Sequence, residues 1–235
     1  MPAAKRPDRA PGGYTWDSSL QRYRDSRGRI VSRDAVRREI DVTLDRTAKH
    51  ARDLSVQLRA GQISLTQWET GMRAVVKDTQ LYSAAAVRGG WDRMTPGDLG
   101  RVGQLVRTQY GYLDRFAAQI ASGEQALNGY MLNRAMMYAQ QGRLTHEAFA
   151  QSDVRKLARE QGGQVEVRNL LGDADHCDEC IALTGRGWVP DGQMPLPGTR
   201  ECRSSCHCRV ERRIVGGRPL EDPVRAPAGA RGRRT

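Results

Sequence analysis

The sequence has no apolar run long enough to cross a membrane and no catalytic motif recognisable by its spacing. No segment approaches the ~20 apolar residues that a spanning helix needs. Residues 1–15 carry Lys5, Arg6 and Arg9 but lack the apolar stretch of a secretory signal. Phosphate-binding loops, dinucleotide-binding glycine motifs, HExxH and GxSxG are missing too. We therefore expect a protein made in a reducing cytoplasm, with no membrane partner, no small-molecule substrate and no enzymatic activity.

Histidine is scarce, with only His50, His146, His176 and His207 in the chain. The first two fall within helical patterns and have no identifiable partner. The carboxylates are scattered along helix faces among arginines, where solvated ion pairs are the usual arrangement. A zinc-dependent nuclease or other hydrolase would need an open metal position and a nearby general base. That alternative stays open, but no residue pattern supports it.

Acidic residues are outnumbered, 27 against 38 lysines and arginines, which gives a formal net charge of +11. Such a chain favours nucleic acid, acidic protein surfaces or anionic lipid. An arginine-rich composition inherited from a GC-rich genome explains the charge equally well. If the chain contacts DNA, we expect non-specific phosphate contacts from the C-terminal tail. The arginines predicted to make them are Arg225, Arg231, Arg233 and Arg234.

Apolar residues recur at three- and four-residue steps between residues 32 and 161, a spacing typical of amphipathic helices. The first stripe runs from Val36 to a stop at Gly61. Capping patterns predict further helices after Ser64, Thr95 and Ser122, and a weaker one opens at residue 145. The region is therefore predicted to form four or five antiparallel helices.

The flanking regions have different patterns. The composition of residues 1–31 predicts a basic flexible arm with a possible short hairpin that turns at residues 26–28. Short extended pieces are predicted at 164–168, from 187, and over 207–215, and residues 216–235 predict a disordered, Arg-rich tail. The fold class is mainly α: an antiparallel helical domain (32–161) followed by a small β-rich, zinc-stapled module (162–215).

Cysteine is absent except between residues 177 and 208, where all five cysteines lie. Cys177 and Cys180 form a CxxC pair, and Cys202, Cys206 and Cys208 follow after 21 residues. Two close groups of soft ligands joined by a loop are typical of a tetrahedral zinc site. We predict structural Zn²⁺ bound by these first four cysteines.

The last ligand is not fixed by spacing. Cys208 could replace Cys206, and His176 or His207 could replace a thiolate. Nearby arginines could offset the negative charge of four thiolates, although solvated arginines are equally common; they are Arg186, Arg200, Arg203 and Arg209. Two disulfides plus a free thiol remain the other interpretation of five cysteines.

The order of these features resembles the phage head-morphogenesis family, the minor head proteins similar to the F protein of phage Mu. The matching residues are Cys177, Cys180, Trp188, Pro190, Pro195, Pro197, Cys206 and Cys208. In that family a His-Pro often precedes the Cys-x-Cys, whereas Arg200, Glu201 and Cys202 occupy the stretch here. Cys202 is thus a plausible substitute for the histidine. The specific match covers about 35 residues, and the segment from Trp68 to Gln125 resembles predicted phage structural proteins less specifically.

The resemblance implies a non-enzymatic virion protein, made in the host bacterial cytoplasm and needed for head assembly or DNA packaging. Its partners would be the portal, scaffold or major capsid protein, with possible non-specific DNA contact. The alternative is a zinc-containing DNA-binding regulator or recombination accessory protein. No helix-turn-helix spacing supports that alternative, and the cysteine region ends in a predicted strand rather than a finger helix.

Overall fold

The computed structural model describes residues 11–172 and 174–217. Five helices follow one another along the chain, and a short sixth helix interrupts a small three-stranded sheet. The helices are α1 (Arg33–Arg59), α2 (Leu65–Arg88), α3 (Pro96–Ala121), α4 (Gly129–Gln140), α5 (Gly142–Gln161) and α6 (Asp178–Gly185). The strands are β1 (Thr15–Asp17), β2 (Arg22–Arg24), β3 (Gln164–Leu170), β4 (Val189–Pro190) and β5 (Arg209–Val215). The prediction of a mainly helical chain with a small β region near the C-terminus is confirmed.

Two of the predicted helix starts are confirmed by their capping hydrogen bonds. The Ser64 hydroxyl accepts from the backbone N–H of Gln67 at 3.2 Å, and the Gln67 side chain accepts from the Ser64 N–H at 2.8 Å. Thr95 forms the same reciprocal arrangement with Asp98, with Pro96 in the first turn of α3. These pairs satisfy backbone donors that the first helical turn leaves unpaired.

The predicted start after Ser122 is wrong. Ser122 ends α3, and α4 begins only at Gly129. The side chain of Asn128 accepts from the backbone N–H groups of Tyr130 and Met131. Asn and Ser are similarly good N-caps, so the capping pattern at Ser122 did not by itself determine where the helix begins.

The core of the helical body (α1–α5, residues 33–161) is built around Trp68. This side chain is fully buried, and its indole N–H donates to the Ser55 hydroxyl at 2.9 Å. Its ring meets Phe116 edge to face at 5.3 Å between centroids, and Phe116 in turn stacks with Tyr138. Aromatic side chains of this size contribute a large share of apolar burial.

The junction between α4 and α5 lies close against α1 and α2. A Cβ atom placed on Gly142 would lie 2.5 Å from Leu44 Cδ2 and 2.6 Å from Ser83 Oγ. Glycine therefore permits this close approach, and a larger residue would force these buried side chains to shift.

The N-terminal arm requires a correction for residues 11–31. Strands β1 and β2 pair antiparallel, with Trp16 opposite Tyr23, and the predicted turn near residue 28 is present as an Arg24–Ile30 bridge. Tyr23 is buried, and its hydroxyl donates to the Ala86 carbonyl at 2.6 Å. The segment is thus packed on α2 rather than free, because its aromatic side chains bury against that helix. Residues 1–10 lie outside the described residues.

The C-terminal sheet has the order β4-β3-β5, with both pairs antiparallel. Its inner face buries a small apolar cluster of Val167, Leu183 and Met194. The three predicted extended pieces are confirmed, with the first strand running two residues further, to Leu170. The division of the chain into separate domains at residue 162 stays a prediction.

A buried ion-pair network, the α1–α5–β5 clasp, joins the sheet to the helical body. Glu147 of α5 is 3% exposed and pairs with Arg37 of α1 and with Arg212 of β5. The second contact measures 2.8 Å between Arg212 Nη2 and Glu147 Oε2. Burial alone would raise the pKa of Glu147, but the two guanidinium groups outweigh it and lower the pKa to about 2. The two guanidinium groups therefore favour the ionised form of this carboxylate.

None of the helices in the described part of the chain combines the length and the apolar character that crossing a membrane would require.

Candidate metal centre

The first cysteine pair is positioned by the start of α6, an element that the sequence pattern did not predict. Cys177 is the N-cap residue of this helix, with extended backbone, and Cys180 lies in its first turn. The backbone N–H of Cys180 hydrogen bonds to the Cys177 sulfur and lowers the pKa of that thiol. A helix start therefore turns both sulfurs to one side and stabilises a thiolate there.

The second group lies on a short 3-10 turn, Arg203–Ser205, followed by the start of β5. Arg203 has φ +47, a left-handed conformation that is uncommon for residues other than glycine. This turn places Cys202 and Cys206 at its two ends. Gly172 admits the following backbone, since a Cβ there would lie 2.1 Å from the His207 carbonyl oxygen.

All five cysteines converge into one cluster and all are free thiols. Cys180 Sγ lies 3.6 Å from Cys202 Sγ and 3.8 Å from Cys206 Sγ. A tetrahedral zinc site with Zn–S bonds of about 2.3 Å separates its sulfurs by roughly 3.8 Å, whereas a disulfide bond is about 2.05 Å long. The sulfurs are thus spaced as ligands of a metal ion, and the disulfide interpretation does not describe this structure.

The cluster consists of two triads that share Cys180. Cys177, Cys180 and Cys202 form one triad, and Cys180, Cys206 and Cys208 form the other, each with its sulfurs within 4.8 Å of one another. The first-choice ligand set of the sequence prediction takes three members from the first triad and Cys206 from the second. These five thiols lie within ligand distance and could bind a metal ion.

The two histidine alternatives differ in position. The Nδ1 atom of His176 is 3.8 Å from Cys208 Sγ, and its Nε2 is 3.0 Å from the Gly172 carbonyl. His207 belongs to neither triad. Burial, and then the charge of Arg143, lower the pKa of His207. His176 therefore remains a possible ligand at the edge of the cluster, and the surroundings of His207 are those of the helical body.

A buried guanidinium, from Arg200, lies against the cluster. Its side chain donates to the Pro195 carbonyl and, through Nη1, to Asn169 Oδ1 at 2.7 Å. The same Nη1 lies 3.7 Å from Cys180 Sγ. Arg200 is 2% exposed and has no carboxylate partner among the described residues. Of the four arginines predicted as possible counter-charges, Arg200 is the one whose guanidinium lies against Cys180.

Asn169 of β3 connects the guanidinium to α6, and sequence analysis missed it. Its amide nitrogen donates to the Cys180 carbonyl at 3.1 Å and to Thr184 Oγ1 at 2.7 Å, while its oxygen accepts from Arg200. An asparagine in an alternating strand carries no signal for such a role. Only the fold reveals that its side chain points inward.

The acidities of the thiols reflect opposing effects of burial and hydrogen bonding. Burial raises the pKa of Cys180 well above its usual range and that of Cys202 to about 12. Burial also acts to raise the pKa of Cys206, but the Cys208 N–H and the other neighbours outweigh it and lower the value. Buried neutral thiols release their protons when a metal ion binds. A metal ion bound here would therefore compete with protons at Cys180 and Cys202.

The arginines predicted to contact DNA, Arg225, Arg231, Arg233 and Arg234, lie outside the described residues. Comparison of the chain with family models, with characterised proteins and with solved structures gives no match.

Proposed function

We propose that the cysteine cluster holds one structural Zn²⁺ ion. The donor set fits the metal, because soft thiolates at tetrahedral spacing are the ligands of structural zinc sites. The first-choice ligands remain Cys177, Cys180, Cys202 and Cys206. The second triad and its neighbour His176 supply the alternatives to the last of them.

The burial of Arg200 beside the thiols is the observation that supports this proposal most strongly. A buried guanidinium is costly unless a negative charge lies nearby. Around Arg200 the hydrogen-bond acceptors are neutral carbonyl oxygens and one sulfur. Four thiolates around Zn²⁺ carry a net charge near −2, and this charge would balance the arginine. Neutral thiols would leave the guanidinium without compensation.

The size of the surrounding core favours a structural role for the ion. The buried apolar side chains packed under this sheet are Val167, Leu183 and Met194. A segment of about 50 residues with so small a core needs an additional cross-link to be stable. Four protein ligands would leave no coordination position for a reacting water.

We further propose that the chain is a minor head protein of a tailed bacteriophage that acts in head assembly or DNA packaging. The support is the resemblance of its cysteine, Trp188 and proline pattern to that family. A helical body carrying a rigid metal-bound segment suits a protein that docks onto the portal, the scaffold or the capsid interior. In this proposal the zinc ion maintains the docking surface and takes no part in chemistry.

The metal proposal predicts about one zinc ion per purified chain by elemental analysis. Replacing Arg200 by Met should lower zinc affinity 10- to 100-fold, the range typical for residues that support metal ligands. Arg186→Met is the matched control, because Arg186 is exposed and donates to the Gln193 carbonyl instead. Metal-free protein with paired thiols, or equal losses in both variants, would contradict the proposal.

The virion role has a separate test. Mass spectrometry of purified particles from a phage that encodes this chain should detect it at low copy number. Its absence from both procapsids and mature particles, together with a sequence-specific DNA footprint, would favour the alternative of a zinc-containing regulator.

A further inference from the structure

A cavity between α3 and α5 is lined by arginines and lies away from the cysteine cluster. Its volume is about 330 Å³, and its lining residues are Arg101, Ala148, Gln151, Ser152, Arg155 and Arg159. Five of these follow one face of α5 at helical spacing, and Arg101 projects from α3. The lining thus carries three positive charges and no carboxylate. We call this cavity the α3–α5 groove.

Arg101 is held in place before any ligand binds. Its guanidinium lies over the Phe149 ring, 4.5 Å from the centroid, and Nη2 donates to the Ala148 carbonyl at 3.2 Å. Stacking and one hydrogen bond leave other N–H donors of this planar group available. A half-buried, pre-oriented guanidinium loses little side-chain entropy when it binds an anion.

The carboxylate of Asp191 is paired within the groove itself. Asp191, which follows β4, has a side chain only 7% exposed and pairs with Arg155. Its other carboxylate oxygen accepts from Gln151 Nε2 at 2.7 Å. Among the described residues, Arg159 has no ion-pair partner. Within the lining, three guanidinium groups face the single carboxylate of Asp191, which leaves two positive charges without a partner there. The neighbouring Asp98 and Asp153 pair with Arg88 instead.

We propose that the α3–α5 groove binds the phosphodiester backbone of nucleic acid. Arginine matches phosphate geometry with paired donors, and Arg155 and Arg159 lie one helical turn apart, about 6 Å along α5. The half-buried Ser152 adds a hydroxyl donor to the same face. With no base-reading element in the groove, the contacts are independent of sequence. This site goes beyond the proposed function because it lies in the folded body and needs neither the zinc ion nor the C-terminal tail.

The test uses the full-length, zinc-loaded chain and a labelled duplex of arbitrary sequence, with binding followed by fluorescence anisotropy across a salt series. The double variant Arg101→Gln/Arg159→Gln should weaken binding, and it leaves the Arg155–Asp191 pair in place. It should also make the plot of log affinity against log salt shallower by about 1.8, since each phosphate contact contributes about 0.9. The matched control is Arg52→Gln/Arg107→Gln, which removes the same charge at exposed positions of α1 and α3. The control slope should equal that of the unmodified chain.

Two further measurements make the result decisive. The single variant Arg159→Gln should change the slope by about half as much as the double variant. Because it leaves Asp191 and its partners undisturbed, this change would report a lost phosphate contact and not a folding defect. Equal slopes for the groove and control variants would overturn the proposal, because only net charge would then matter. Competition by poly-glutamate as strong as that by duplex DNA would also overturn it, in favour of an acidic protein partner. Zinc content measured on the same samples keeps this outcome independent of the metal proposal.

Discussion

Residues 33–161 bury three apolar clusters, the largest of them around Trp68, whereas residues 164–215 bury three apolar side chains and three thiols. The helical body can rely on the hydrophobic effect, which contributes roughly 25 cal/mol for each Å² of apolar surface removed from water. The cysteine segment (residues 164–215) lacks that area and contains a cluster of five thiols instead. We therefore expect the helical body to be sensitive to loss of apolar contacts and the cysteine segment to changes at its thiols. The α1–α5–β5 clasp connects the two regions, so a change in one can affect the other there.

The largest expected effect comes from removing the metal. Chelation, or Cys180→Ser, should unfold the cysteine segment while α1–α4 keep their protection, because zinc binding supplies about 10 kcal/mol or more in small zinc modules. Cys180 belongs to both triads, so no complete triad survives its loss. Hydrogen–deuterium exchange resolved by peptide would measure this, with Ser205→Ala as the control in the same turn. Loss of protection throughout α1–α4 would show that the two regions are not separately stabilised.

A smaller effect is expected at the clasp. Glu147→Gln keeps the shape of the side chain but leaves Arg37 and Arg212 with less counter-charge, which should cost about 3–5 kcal/mol in the free energy of unfolding. Glu166→Gln is the control, since Glu166 pairs with Arg213 on the exposed face of the sheet and should cost less than about 1 kcal/mol. Urea unfolding of both variants would measure the difference. Equal costs would mean that the clasp contributes no more than a surface ion pair.

The smallest effect concerns His146, which lies beside the clasp with its side chain 17% exposed. Burial, and then the charge of Arg37, lower its pKa from 6.5 to about 4. Between these values the unfolded chain takes up a proton that the folded chain does not, so stability falls as the pH falls. The loss amounts to up to about 3 kcal/mol at 1.36 kcal/mol for each unit of pKa.

The measurement is urea unfolding of His146→Gln between pH 7 and pH 4, compared with the unmodified chain. The variant should show a weaker dependence on pH over this range. The exposed His50→Gln serves as the control, and zinc loss in acid affects all three proteins alike. An unchanged dependence in the His146 variant would contradict the assignment of this proton.

Sequence reasoning located the elements that depend on neighbouring residues and missed those that depend on distant ones. The caps at Ser64 and Thr95 were predictable because their partners lie three residues away. The convergence of cysteines was predictable because CxxC spacing places two sulfurs on one turn. Arg200 was not distinguishable from solvated arginines, since its partners Asn169 and Cys180 meet it only through the fold. The same holds for Glu147 and Arg212, which lie 65 residues apart.

The short helix α6 illustrates an intermediate case. Its eight residues follow Cys177 directly, a length at which the apolar spacing cannot be told from that of a loop. It forms because the sheet covers Leu183 and because Asn169 binds the Cys180 carbonyl from outside the helix. Tertiary contacts therefore decide the local structure at Cys177 and Cys180.

The absence of a side chain at Gly142 determines how closely α5 packs against α1 and α2. Leu44 of α1 and Ser83 of α2 lie where a methyl group on residue 142 would be. The close spacing of α1, α2 and α5 therefore depends on glycine at this position. A larger residue would displace these buried side chains or wedge α5 away from α1 and α2. Because α5 also carries Glu147 and the face with Arg155 and Arg159, such a wedge would shift the attachment of the sheet and the anion-binding face together, although neither touches position 142.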